Sequence, residues 1–487
     1  MSFDWFKSRG YRHFDLPVGE KFASKVMDPN FVLQHSFLPL LHYTKSEKRY
    51  KKRPKTGMRT ITTKDRPIKY ASHRDTCILS FYASEMNKLL DAHYDAAGLS
   101  DSVLAYRALG RGNYDFSAEV LAFAKSHAPV TILAFDVSSF FDNLDHTLLK
   151  RRMKAVLGVT SLPEHWMRVF RAITAFHYVD MEELKANPTF SARLKEKSRD
   201  RIASVEELKA NGIKFHPNPE LGMGHRRGIP QGTPISAAAS NLYMIDFDAA
   251  ARAYCNSIGA LYRRYSDDIL VICEPARATA AGAKIVDLIK AEKLEISPHK
   301  TERTEFTGTG GAMAGKAAQY LGFALHEAGP AIRESSLARQ WRKMRRAMRW
   351  TRKIAERNIA SGKSTKAHTK RLYRRFTHLK VRDDEEAIAL MNDSPYAALP
   401  HLVKTKKSLS KLSGLNVPRF ARSRSSRSYE LIANRAFLSS FCIQPSHSAN
   451  VHFPPKLRIG RTTTYVSEGL NRAVRGTLRQ QPEWVAR

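Results

Sequence analysis

The sequence predicts an α/β (α+β) chain in which short strands gather into sheets between longer helices. Three observations predict this. Val130 to Phe135 is an apolar run of strand length that ends at a carboxylate, Asp136. Leu261 to Ile272 holds two strand-forming runs on either side of Ser266-Asp267-Asp268, the pattern of a hairpin. Elsewhere apolar residues recur at helical spacing, as at Ile78, Tyr82, Met86 and Leu89.

Along the chain, residues 1 to about 50 mix aromatics and charges without clear periodicity. The basic, Thr-rich stretch from Lys48 to Lys69 reads as a short strand pair around Thr56-Gly57. Residues 74–94 and 116–126 read as helices, and helical patterns return from Asp145 to Val156 and from Pro163 to Phe176. The charged, weakly amphipathic segment from Met181 to Gly212 reads as a helical insertion on the surface. Residues 236–257 read as one Ala-rich helix, followed by the Asp267-Asp268 hairpin and a helix over Ala276 to Glu292. From Ala331 to Arg382 there are eighteen Lys and Arg against two acids, on a helical pattern whose apolar stripe is Trp341, Met344, Met348 and Ile354. The last hundred residues or so are basic and Ser-rich near residues 421–427, and no internal repeat is visible.

Charge narrows the function classes. The 487 residues carry 81 Lys and Arg against 46 Asp and Glu, a net charge of +35 with a pI of about 10.1. Such an excess predicts a polyanionic partner, nucleic acid before an anionic membrane, since no amphipathic anchor or lipidation signal accompanies it. Mean hydropathy is −0.42, and no run approaches the ~18 apolar residues of a membrane span. The N-terminal residues lack the layout of a secretory signal. Cys77, Cys255, Cys273 and Cys442 lie far apart without C-x-x-C spacing, which argues against a zinc or disulfide framework and predicts a reducing cytoplasm. His73, His225 and His299 lack partner spacing for a metal and read as structural or phosphate-facing.

Asp267 and Asp268 repel each other at the hairpin tip. A divalent cation relieves that penalty, because Mg²⁺ takes hard oxygen ligands and needs only one or two protein carboxylates. Asp136 is costly to leave unpaired at the end of a buried strand, and reads equally as a helix N-cap before Phe140. Asp142 and Asp145 read as capping or solvated turn residues. Arg226-Arg227-Gly228-Ile229-Pro230-Gln231-Gly232-Thr233-Pro234-Ile235-Ser236 precedes the Ala-rich helix. Its glycines let a backbone approach a ligand, while helix N-terminal amides and two arginines favour phosphate.

The order Asp136, then Gly-Ile-Pro-Gln-Gly, then Tyr-Ser-Asp-Asp resembles the reverse transcriptases, in the bacterial branch of retron, group II intron and defence-associated enzymes. The resemblance covers roughly residues 50 to 380. Leu294-Glu295-Ile296-Ser297-Pro298-His299-Lys300-Thr301 resembles the family's motif with a lysine near the nucleotide phosphates, and Gln319-Tyr320-Leu321-Gly322-Phe323 its primer-grip hairpin. Ile68 to Asp75, with Ser102-Val103-Leu104-Ala105-Tyr106-Arg107, is most similar to the defence-associated "unknown group". Ser266 departs from the Ala, Cys, Met or Val usual in relatives.

The resemblance implies a right-hand polymerase: N-terminal region and fingers over 1–120, an antiparallel-sheet palm over 121–330 with an insertion at about 180–215, a basic helical thumb over 331–395, and a basic C-terminal extension over 396–487. Asp136, Asp267 and Asp268, with the backbone of Val137, would hold two Mg²⁺ ions, or Mn²⁺ in their place. Phe141 falls where the family has its dNTP-selecting aromatic gate, Phe140 being left to the core; a core role is the alternative for Phe141 as well. Gln231 and Gly232 would contact the nucleotide. Arg59, and Lys55 less directly, would clamp the triphosphate, or else hold nucleic-acid backbone. Lys300 would protonate pyrophosphate or contact phosphate at the surface. Tyr265, Gly322, Arg342, Arg345, Arg346 and Arg349 would contact primer and template.

The implied function is an RNA-directed DNA polymerase that copies an associated noncoding RNA into cDNA in prokaryotic antiviral defence, with homo-oligomerisation left open. A retron or group II intron-type enzyme is the first alternative. An RNA-binding, maturase-like scaffold without polymerase activity is the second.

Overall fold

A computed structural model describes residues 3–52, 59–196, 200–307, 312–314, 317–326 and 329–362. The strands among them are β1 (Leu40–Lys52), β2 (Arg59–Tyr70), β3 (Val130–Asp136), β4 (His177–Asp180), β5 (His216–Pro217), β6 (Leu261–Tyr265), β7 (Asp268–Cys273), β8 (Glu302–Thr307), β9 (Ala312–Ala314), β10 (Gln319–Tyr320), β11 (Phe323–His326) and β12 (Gly329–Ile332). They form three sheets, ordered β6-β7-β3-β8-β9, β2-β1-β4-β5 and β10-β11-β12. The first is antiparallel throughout, and the second is mixed because β1 and β4 run parallel. The chain is therefore α/β (α+β) with mixed sheets.

The five-stranded sheet is covered on both faces, and its side-chain alternation sorts residues between two cores. Leu133 and Phe135 of β3, with Ile269 and Val271 of β7, face the larger core. Val130 and Ile132, with Leu270 and Ile272, face the second core. A one-residue slip of either strand would exchange the two sets, so packing fixes the register that pairs Asp136 with Asp268.

The larger core is closed by helix His73–Ala96, capped where Ser72 Oγ accepts from Asp75 N at 3.2 Å, and by helix Glu164–Thr174. The Ala-rich helix expected over 236–257 is two helices, Ser236–Tyr243 and Ile245–Ser257, broken at Met244. Asn241 and Asp248, seven residues apart and so on one face, both bond the buried Arg264.

Three further expectations change. Residues 1–50 are ordered as helices Glu20–Val26 and Pro29–Gln34 followed by β1. The pair near Thr56-Gly57 is longer than expected, with β1 and β2 in register from Leu41↔Tyr70 to Lys52↔Arg59; the turn itself lies outside the described residues. The insertion is helical, but it is more than a surface appendage. Its helices Met181–Ala186, Pro188–Lys195 and Val205–Ala210 bury Leu184, Phe190 and Leu208 with Phe14, Leu41 and Val179 in a third core.

Beyond β12 comes the 27-residue helix Glu334–Ala360. Trp341, Met344 and Met348 are half-buried on it, whereas Ile354, expected in the same stripe, is 40% exposed, and Trp350 is 66% exposed. The rest of the 331–395 region, the 396–487 region and Cys442 lie outside the described residues. Cys77, Cys255 and Cys273 are buried free thiols. Among the described residues no helix is long and apolar enough to cross a membrane.

Candidate active site

Three carboxylates meet at one edge of the central sheet. Asp136 ends β3 and lies opposite Asp268, which opens β7, while Val137 N donates to Asp267 O at 3.2 Å. Ser266 makes the intervening turn in the left-handed region, with φ of 60°. Burial pushes Asp267 above the ordinary carboxylate range, and the charge of Asp136 adds to it. Asp268 opens to solvent on one side, yet the protein around it and the charges of Asp267 and Asp136 push it up to about 6.

The Asp136 carboxylate accepts from the Lys300 ammonium and from Ser297 Oγ at 3.2 Å. It caps no helix, which settles the N-cap alternative. The segment carrying Lys300 is stitched to β3: Ser297 N donates to Asp136 O at 2.7 Å and Ser138 N to Glu295 O at 2.8 Å. Lys300 thus supplies the positive charge at this carboxylate. Among the described residues no three His, Cys, Asp or Glu form a closed metal cage. Mg²⁺ needs no such cage, since waters and substrate phosphates complete its shell. Asp267 and Asp268, raised by burial and by neighbouring carboxylate charge, fit a hard divalent cation beside Asp136.

Arg264 was missed at the sequence level. Its side chain is fully buried behind the turn and bonds both Asp248 oxygens at 2.6 Å, Asn241 Oδ1 at 3.2 Å and Ser266 O at 3.1 Å. Neighbouring Arg263, also buried, pairs with Glu119 and Asp101. Two adjacent arginines within an otherwise apolar hairpin were the available signal.

The Gly-Ile-Pro-Gln-Gly loop lies alongside the turn after β3, where Ile229 N donates to Phe141 O and Gly228 N to Leu144 O, each at 2.9 Å. Phe140 is buried in the core and Phe141 is half-buried at its margin. Gln231 O accepts from Lys69 N at 2.9 Å, which fastens the base of β2 to the loop. The glycines permit this internal approach. A Cβ on Gly232 (φ 126°) would lie 2.8 Å from Lys69 O, and one on Gly228 (φ 88°) would lie 3.0 Å from Asp142 O. Arg227 Nε donates to Glu220 at 2.6 Å, which orients its guanidinium beside the loop. Lys69 lies over the rings of Phe176 and Tyr178, and burial lowers its pKa against the pull of Asp142.

A family model for reverse transcriptase (RNA-dependent DNA polymerase) matches residues 51–325, more than half of the chain. The chain belongs to the reverse transcriptase family. No curated protein matches it. Among solved structures this reverse transcriptase is similar to telomerase from Candida tropicalis, in an apo form truncated from the C-terminal domain, at 12% identity and a TM-score of 0.38, covering 58% of this chain and 53% of that one. It is also similar to Candida albicans telomerase with a fragment of telomeric RNA, at 12% identity and a TM-score of 0.36, covering 64% of this chain and 49% of that one. The chain spans about half the length of these structures.

The remaining residues named from the sequence of this reverse transcriptase are spread more widely. Tyr265 packs into the second core beside Leu321, and Gly322 (φ 92°) turns β10 into β11. Gly322 O accepts from Arg333 N at 3.0 Å, at the junction with the long basic helix. Arg342, Arg345, Arg346 and Arg349 are exposed on that helix. Arg59 begins β2 with its side chain outside the described residues, as Lys55 is entirely. Asp145 caps helix His146–Val156 and pairs with Lys293 at 2.8 Å, as a turn residue rather than a ligand. His73 is buried and stacked on Tyr11, and His225 bonds Glu220 at 3.2 Å.

Proposed function

We propose that the chain is an RNA-directed DNA polymerase that adds dNTPs to a growing 3′ end, copying an associated noncoding RNA in antiviral defence in the prokaryotic cytoplasm. The observation that carries the polymerase reading is the register pairing Asp136 with Asp268, which gathers three carboxylates of raised or lysine-paired charge at one sheet edge. The likeness of the Ile68–Asp75 and Ser102–Arg107 segments to the defence-associated group supports the finer role.

In this reading the five-stranded sheet is the palm, the β1–β2 ribbon belongs to the fingers, and helix Glu334–Ala360 begins the thumb. Asp136, Asp267, Asp268 and the backbone of Val137 would hold two Mg²⁺, or Mn²⁺ in their place, which would supply positive charge to the attacking and departing oxygens. The 3′-hydroxyl gives up its proton to solvent, its oxygen bonds the α-phosphorus as the bond to pyrophosphate breaks, and Lys300 gives the leaving group a proton. Phe141 closes the sugar side against a 2′-hydroxyl, Gln231 and Gly232 frame the nucleotide, and Arg59 with Lys55 meets the triphosphate. Tyr265 and Gly322 hold the primer end. Arg342, Arg345, Arg346 and Arg349 grip the template–primer backbone without reading sequence.

The test compares primer-dependent dNTP incorporation by the wild type and by the Asp267→Ala, Asp268→Ala double variant. Incorporation by the wild type alone supports the polymerase reading; equal incorporation, or none in either, overturns it. Sequencing the copurifying RNA and cDNA tests the finer role: a structured host-encoded RNA with matching cDNA supports it, and an intron lariat overturns it.

A further inference from the structure

We infer that Tyr106 is a positioning residue of this site, acting on Asp267 through Ser266. The inference rests on the polymerase reading above and adds a residue to it.

Ser102–Arg107 runs beside β6. Leu104 N donates to Arg264 O at 2.9 Å, Arg264 N to Ser102 O at 2.7 Å, and Val103 bridges Arg264 in parallel. Both neighbours of Tyr106 are pinned. Asn241 Nδ2 donates to Ala105 O at 2.9 Å, and Arg107 bonds Asp91 at 2.6 Å and Ser100 O at 2.9 Å. The surroundings therefore dictate where Tyr106 points.

Tyr106 has φ of 64° and Ser266 φ of 60°, a region that bulky residues enter only where the surroundings over-determine them. These two strained residues touch: Tyr106 Oη and Ser266 Oγ are 3.1 Å apart. Ser266 makes the turn and is followed directly by Asp267, so a contact that fixes its side chain fixes the turn presenting the Asp267 carboxyl. The path runs from Tyr106 to Ser266 to the next residue in the chain, and it orients a proposed metal ligand.

A merely structural tyrosine would act through its ring. Tyr106 is 43% exposed, and its hydroxyl makes the contact that reaches the site. Replacing the hydroxyl alone separates the two roles.

The experiment compares Tyr106→Phe, Ser266→Ala and the double variant with the wild type in three measurements. These are thermal midpoint, Mn²⁺ affinity without nucleotide by titration, and kcat with the KM for template–primer. Tyr106→Phe is expected to keep the wild-type midpoint and KM while weakening Mn²⁺ binding and lowering kcat about fivefold, the scale of one lost hydrogen bond. Ser266→Ala is expected to do the same, and the double variant no more than either single, because both act along one path. Wild-type Mn²⁺ affinity and kcat in Tyr106→Phe, or additive losses in the double variant, would overturn the inference while leaving the polymerase reading intact. A wild type that neither binds Mn²⁺ nor incorporates dNTPs overturns both.

Discussion

Arg264 and Asp248 form a two-bond ion pair with no solvent exposure on either side chain, directly behind the turn that carries Asp267. Tyr262 Oη adds a third bond to Asp248 at 2.6 Å. The charge of Asp248 raises the pKa of Arg264 against the cost of its burial. Removing one partner strands the other charge, so Asp248→Asn or Arg264→Met is expected to cost about 3–5 kcal/mol. Urea unfolding reads this directly, and a loss under about 1 kcal/mol would show that the pair contributes little to holding the turn.

Lys300 places its ammonium on Asp136, where a metal would compete for the same oxygens. Lys300→Met is expected to bind Mn²⁺ more tightly in the absence of nucleotide. It is also expected to incorporate dNTPs at least about tenfold more slowly, because a proton donor to pyrophosphate is lost. Titration and single-turnover kinetics measure the two effects separately, and unchanged affinity would mean that the ion pair does not guard the site.

Gly232 has backbone pressed against it, unlike Gly259, which has a positive φ of 66° but no atom within 4 Å of an added Cβ. Gly232→Ala is therefore expected to destabilise by about 2–4 kcal/mol and Gly259→Ala by about 1 kcal/mol. Equal losses in chemical denaturation would show that strain alone matters, and that the approach to Lys69 does not.

Burial and the charges of Asp267 and Asp136 push the Asp268 carboxyl up to about 6, above the ordinary carboxylate range. A raised carboxylate pKa means that the folded state holds its proton longer than the unfolded chain. This contribution is fully favourable below about pH 4 and lost as pH rises through about 6. Asp268→Asn should therefore flatten the fall in thermal midpoint between pH 4 and pH 7 in chelator. Protons and metal compete for the same oxygens, so Mn²⁺ affinity of the wild type should drop as pH falls through about 6. A midpoint slope unaffected by Asp268→Asn would refute the assignment.

The arginines of helix Glu334–Ala360 are exposed. If they meet phosphates, Arg345→Gln and Arg349→Gln should each reduce the slope of log affinity against log salt by about one, equally for all sequences. A loss confined to particular sequences would point to base contacts instead.

Much of the catalytic edge was legible because carboxylates ending apolar strands break the local pattern, as Asp136 does after Phe135 and Asp268 before Ile269. The central strands and the helix after Ser72 were equally legible, from apolar runs and from helical spacing. The 236–257 break was hidden because Met244 is an acceptable helix residue and no Gly or Pro marks the position. Only the outer part of β1, from Lys48, was legible; Leu40 to Glu47 was hidden because Leu40-Leu41 is too short an apolar run to announce a strand. Gly232 was noticed for the right reason, close approach, but its partner, Lys69 O, is 163 positions earlier.

The β1–β2 ribbon is anchored at Lys69, ten positions along β2 from Arg59, a span of roughly 33 Å at strand rise. At that anchor Lys69 N is bonded to Gln231 O, and no room remains for a side chain on Gly232. The same loop holds the carbonyl of Phe141 through Ile229 N. The base of the ribbon and the turn that follows Asp136 are thus fastened to one loop, which ties the register of β2 to that of β3.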